Sequence, residues 1–202
     1  MKFLHTLSDV LPLVFWMLLL FGFDVPYIAV LTLISAFLHE LGHLFFIRIY
    51  NVKRGKLKAS VSGFRIHTAF TSYKEEALCA FGGPLVNLVI FLLLILISNF
   101  FSAKDYIITF AMVNLLSALS NLLPIRSYDG YRIFHCILAY FCGSDTAERI
   151  CYAVSFLLST LLTFFSLYLL LKCGEGYWIF GIFFALLFTN ITESHAKTKN
   201  EQ

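Results

Sequence analysis

Long runs of apolar residues restrict this chain to a narrow set of folds. Six segments can be distinguished, at about 10–23, 27–50, 76–97, 106–123 with a continuation at 131–141, 150–171 and 177–189. Hydrophobic residues make up 59% of the 202 residues and charged residues only 13%, whereas about a quarter of a soluble domain is charged. A bilayer span needs about 20 mostly apolar residues. The sequence therefore predicts an all-α polytopic membrane protein with about six transmembrane helices.

The loop after the second segment carries charges of one sign. From Arg48 to Lys74 all seven charged residues are lysine or arginine. Short basic loops stay on the cytoplasmic side of a membrane. Alternation of the remaining loops then places both termini in the cytoplasm, including a tail at 190–202. The same basic loop could also bind anionic lipid.

Two local patterns lie between the second and third segments. Polar and apolar residues alternate before and after Ser62–Gly63, which predicts a small β-hairpin in the loop that follows the second segment. Ser72 and Glu75 have the spacing of a capping box, which predicts the start of the third helix. Within that helix, Gly82, Gly83 and Pro84 indicate either a kink or close packing against another helix.

Three ionisable residues lie inside the second apolar segment, in the stretch AFLHELGHLFF at 36–46. His39 and His43 are four residues apart, so a helix places both imidazoles on one face. Such a pair can bind zinc, and Glu40 beside it can act as a general base on water; this is the HExxH pattern of metalloproteases. Ionisable residues inside a span are rare and usually functional. The alternative is a polar triad that satisfies itself between packed helices.

A catalytic zinc site needs a third protein ligand and one open position. Asp129 ends the stretch NLLPIRSYD at 121–129, close to the end of the fourth segment. The predicted topology brings this residue to the same depth as the two histidines. The alternative is an ordinary turn, since Pro124 and the Asp129–Gly130 pair are common in loops.

The two motifs together resemble those of the site-2 proteases, which are intramembrane zinc metalloproteases. HELGH at 39–43 matches the first family motif, and NLLPIRSYDG at 121–130 matches the second at all its fixed positions. GPLVN at 83–87 resembles a third, weaker feature. The order of the segments is similar to that of the branch that processes sporulation sigma factors.

This resemblance implies roles for particular residues. His39, His43 and Asp129 would bind one zinc ion per chain, and Glu40 would be the general base. Asn121 matches a family asparagine that helps to hold the substrate or the oxyanion. The family often has two glycines and a basic residue after the aspartate, where this chain has Gly, Tyr and Arg at 130–132.

The implied function is regulated intramembrane proteolysis by a single membrane-embedded peptidase domain covering residues 1–202. The expected partners are a membrane-spanning protein substrate, the lipid bilayer and a regulatory membrane protein, with no nucleic acid. The expected location is a bacterial cell membrane, with the active site opening towards the cytoplasm. Two alternatives stay open: an inactive relative that sequesters membrane segments, and a transporter of metal ions or small solutes.

Overall fold

The computed structural model describes residues 26–60, 63–70, 72–100, 104–173 and 177–200. Within these ranges the helices are α1 (Pro26–Ile49), α2 (Tyr73–Ile97), α3 (Lys104–Asn121), α4 (Asp129–Cys142), α5 (Ser144–Cys173) and α6 (Tyr177–Asn200). The first predicted segment, 10–23, lies outside the described residues. The other predicted segments all coincide with helices.

Three of the described helices are long and apolar enough to cross a membrane. They cover Tyr27–Ile49, Tyr73–Ile97 and Ser144–Cys173, and a shorter apolar helix covers Ile179–Ile191. Helices α3 and α4 have 18 and 14 residues, fewer than the roughly 20 that a straight span needs. The chain is a helical membrane protein, as predicted, and the number of six spans stays a prediction.

Two antiparallel strands follow α1 in the region where the alternation predicted a hairpin. Strand β1 (Lys53–Ser60) pairs with β2 (Gly63–Ala69), and Leu57 lies opposite Ile66. The register is irregular between Arg54 and Leu57. The two turn residues 61–62 lie outside the described part of the chain.

The start of α2 follows the predicted capping pattern. The Ser72 hydroxyl accepts a hydrogen bond from the Glu75 backbone N–H at 3.2 Å, which confirms Ser72 as the N-cap. Pro84 lies inside this helix and is buried.

The chain divides into two compact units, one ending at Leu122 and the other beginning at Leu123. In the first unit, α1 and α2 pack through glycine. A Cβ atom at Gly82 would lie 2.7 Å from the Gly42 carbonyl oxygen, which is too close for any side chain. Small residues allow this approach of membrane helices, so close packing is one role of the Gly82–Gly83 pair.

Buried polar side chains join α1, α2 and α3 in the described part of the first unit. Ser35 on α1 donates a hydrogen bond to Asn114 Oδ1 on α3 at 3.1 Å. Asn87 on α2 is fully buried and donates from Nδ2 to Ser117 Oγ on α3 at 2.8 Å. Asn87 therefore links helices one turn from Gly83.

The second unit contains α4, α5 and α6, and its last helix is longer than the sequence predicted. Helix α6 continues past residue 189, the predicted end of the final span, to Asn200. Asn190, assigned by the sequence to the start of a tail, is only 1% exposed. It contacts Ser155 and Ser159 on α5.

Candidate metal centre

The two histidines of HELGH converge as their spacing predicted. Both lie on α1, and the Nε2 atoms of His39 and His43 are 3.1 Å apart. His39 is buried, with 6% of its surface exposed. The ring planes are nearly perpendicular, at 84°. One turn of helix therefore presents two imidazole nitrogens to a common point.

A backbone carbonyl on α2 fixes the orientation of His43. Its Nδ1 lies 2.8 Å from the Cys79 carbonyl oxygen. Because a carbonyl only accepts hydrogen bonds, Nδ1 must carry the proton. In the neutral ring Nε2 then carries the lone pair, which is the form that binds a metal. Histidine ligands commonly have such a partner on the other ring nitrogen.

Gly83 faces both histidine nitrogens. A Cβ atom built on Gly83 would lie 2.5 Å from His43 Nε2 and 2.6 Å from His39 Nε2. A zinc–nitrogen bond is about 2.0–2.1 Å long. Glycine at this position thus allows both imidazole rings to lie directly against the α2 backbone.

This geometry fits a zinc ion. Two nitrogens bonded tetrahedrally to zinc would be separated by about 3.3 Å, given those bond lengths, and the observed separation is 3.1 Å. A hydrogen bond between the two rings would produce a similar distance. Gly83 is needed in either case, because a Cβ atom there would collide with both imidazole rings.

The remaining predicted site residues occupy three different elements. Glu40 is exposed on α1, next to His39. Asn121 is the last residue of α3 and donates from Nδ2 to the Ser117 carbonyl at 2.9 Å. Asp129 is the first residue of α4 in the second unit, directly after the N-cap residue Tyr128.

Two groups around this centre were not predicted from the sequence. The sequence indicated Gly83 as a kink or packing residue in a family-like stretch, and the structure adds that it faces the Nε2 atoms of both histidines. The Cys79 carbonyl carries no sequence signal, since every residue has one. Asn87 ends the GPLVN stretch, and its described hydrogen bonds join helices.

Comparisons with known proteins agree with these observations. No protein-family model matches the chain. A zinc metalloprotease of Methanocaldococcus jannaschii is 31% identical over 114 residues, which cover 54% of this chain and 34% of the relative. The chain thus spans about a third of the curated relative that it matches. A solved structure of a site-2 protease from the same organism matches with a TM-score of 0.69 and 25% identity, over 93% of this chain and 88% of that one.

Both similarities indicate the zinc metalloproteases as the class of protein. Within that class, the solved structure that the chain matches is a site-2 protease, which agrees with the resemblance that the two motifs predicted.

Proposed function

We propose that this chain is a zinc-dependent endopeptidase that cleaves membrane proteins within or near the bilayer. In this proposal the zinc ligands are His39, His43 and Asp129 of the two sequence motifs, which supply two imidazole nitrogens and one carboxylate oxygen. Such a set leaves the fourth zinc position open, as catalysis requires. The observation that carries the proposal is the pair of converging Nε2 atoms beside Gly83.

Each residue has a distinct task in this proposal. Zinc, when bound, acts as a Lewis acid on the scissile carbonyl and on water. Glu40 takes the proton from the attacking water and delivers it to the leaving amide nitrogen. Asn121 donates a hydrogen bond to the oxygen on which negative charge develops. The Cys79 carbonyl keeps the proton of His43 on Nδ1, away from the ligand nitrogen.

The hairpin offers a means of presenting the substrate. A peptide bond inside a helix is shielded by helical hydrogen bonds, so a transmembrane substrate must unwind locally. Strands β1 and β2 form a two-stranded sheet, and an extended peptide can add to the edge of such a sheet. We propose that the unwound substrate segment pairs with this hairpin during cleavage.

The proposed location is a cell membrane, with the active site opening to the cytoplasm. The support is the basic loop between Arg48 and Lys74, which favours the cytoplasmic side. A regulatory membrane protein is a further proposed partner. Labelling of single cysteines placed in the basic loop, in intact cells and in inverted vesicles, tests this orientation.

The test of the function compares the full-length chain with three variants in lipid nanodiscs. Zinc per chain is counted by elemental mass spectrometry, and hydrolysis is followed with dye-labelled casein, an unfolded substrate that needs no unwinding. Wild type should hold one zinc ion and cleave casein. His43→Ala and Asp129→Ala should lose zinc, whereas Glu40→Gln should keep zinc and lose hydrolysis.

Two outcomes would contradict the proposal. Zinc bound by wild type without hydrolysis would favour an inactive relative that sequesters membrane segments. Full zinc retention by Asp129→Ala would remove Asp129 from the ligand set.

A further inference from the structure

A buried hydrogen-bond chain in the second unit ends on the loop that precedes Asp129. The backbone N–H of Arg126 donates to Ser155 Oγ on α5 at 2.8 Å. The Ser155 hydroxyl donates in turn to Asn190 Oδ1 on α6 at 3.0 Å. Ser155 is fully buried and Asn190 is 1% exposed. These bonds connect the loop to two helices that are distant in sequence.

The hydrogen bonds determine the orientation of the Asn190 amide and the Ser155 hydroxyl. Asn190 Nδ2 uses its hydrogens on Ser159 Oγ and on the Leu186 carbonyl, both at 3.2 Å. Its Oδ1 atom therefore faces Ser155 and accepts the serine hydrogen. A lone pair of Ser155 Oγ is then directed towards Arg126. The hydroxyl cannot rotate away without leaving a buried polar group unpaired, which is costly.

Arg126 belongs to the turn that precedes α4. The Tyr128 N–H donates to the Ile125 carbonyl at 2.8 Å, which closes a four-residue turn around Arg126. Ile125 is fully buried, so its side chain holds the other side of the turn. Tyr128 is the N-cap of α4, and Asp129 is the next residue. Fixing Arg126 thus fixes the backbone from which the Asp129 carboxylate projects.

We infer that Ser155 and Asn190 are positioning residues for the metal ligand Asp129. This inference rests on the proposed function, because it needs Asp129 to bind zinc. Neither residue lies in the HELGH or NLLPIRSYDG motifs. Ser155 and Asn190 would affect zinc binding only by fixing the turn at 125–128, which positions Asp129.

The experiment measures zinc affinity of the full chain in nanodiscs by competition with a chromophoric chelator. Ser155→Ala should raise the zinc dissociation constant about tenfold, at the low end of the loss seen when the supports of metal ligands are removed. Asn190→Ala should have a smaller effect in the same direction, since it only frees the serine hydroxyl. Ser155→Thr keeps the hydroxyl and should recover most of the affinity.

Ser166→Ala is the matched control. Ser166 is also buried on α5, three turns from Ser155, but its hydroxyl donates within its own helix to the Thr163 carbonyl at 2.9 Å. This variant should keep the wild-type zinc affinity. The absorption bands of bound Co²⁺ give a second readout, because they report ligand geometry and not overall stability. They should change in Ser155→Ala and stay the same in Ser166→Ala.

The possible failures can be told apart with Asp129→Ala. If Asp129→Ala loses zinc while Ser155→Ala keeps wild-type affinity and Co²⁺ bands, the positioning role is wrong and the ligand set stands. If Ser155→Ala and Ser166→Ala weaken zinc binding equally, Ser155 supports only the helix packing and the inference is overturned. If Asp129→Ala binds zinc like wild type, the proposed ligand set itself fails.

Discussion

Gly83→Ala should destroy the metal site while leaving the helices packed. The added methyl carbon would lie 2.5 and 2.6 Å from the Nε2 atoms of His43 and His39. Ordinary contact begins at 3.4 Å, so each nitrogen must retreat by about 0.8–0.9 Å. Metal–ligand distances tolerate deviations of only about 0.2 Å. Zinc affinity should therefore fall by at least about 100-fold, the upper end of the loss on disturbing ligand supports.

The folded state should survive this substitution for a physical reason. The atoms that Cβ would meet are the ends of two imidazole side chains, which can turn aside. Alanine also favours a helix over glycine by about 1 kcal/mol. The effect on the free energy of unfolding of the metal-free chain should thus be small, so the loss is confined to metal binding.

The assay is zinc competition in nanodiscs, with thermal unfolding of the metal-free chain measured in parallel. Gly181→Ala is the control, because Gly181 lies in α6 and a Cβ there would meet no atom within 4 Å among the described residues. It should bind zinc like wild type. Wild-type zinc affinity in Gly83→Ala would refute the close contact of both proposed ligand rings with this glycine.

Three further predictions concern the same unit and the metal. Gly82→Ala should destabilise the fold by about 1–3 kcal/mol, because its Cβ would press on the Gly42 backbone; unfolding in sodium dodecyl sulfate measures this, and an unchanged midpoint would contradict the packing argument. Asn87→Ala should cost about 0.6 kcal/mol by loss of the bond to Ser117, the average for polar contacts between membrane helices. The same unfolding assay applies, and an unchanged midpoint would contradict the contribution of this bond. Removing zinc with a chelator should abolish casein hydrolysis and added zinc should restore it, whereas activity without metal would exclude a metalloprotease.

Much of the local structure follows from the sequence because its causes are local. The spacing of His39 and His43 fixes their common face once a helix is formed, and the 3.1 Å separation agrees with that expectation. The Ser72 cap depends on a residue only three positions away. Apolar runs likewise predicted helices at 27–50 and 150–171, because their own composition favours burial in a membrane.

The features that the sequence did not reveal depend on contacts between distant residues. Gly83 is 40 positions from His43, and its orientation towards the ring follows from the packing of α1 on α2. Small polar residues are common in membrane helices, so the sequence does not single out Ser155. Its role depends on the hydrogen bond from the Arg126 N–H, which only the structure shows. The extent of α6 was underestimated for a related reason. Polar residues after 189 indicated a tail, although buried Asn190 is satisfied by α5.

The contact between His43 and the Cys79 carbonyl has a consequence for variation at this site. A backbone carbonyl is present whatever the side chain, so position 79 can change among small buried residues without losing the partner of His43. A carbonyl also does not titrate, so the contact persists over a pH range in which a carboxylate partner would become protonated. Substitutions at position 79 should therefore be limited by the size of the side chain, because the orientation of the His43 ring depends on the helix backbone.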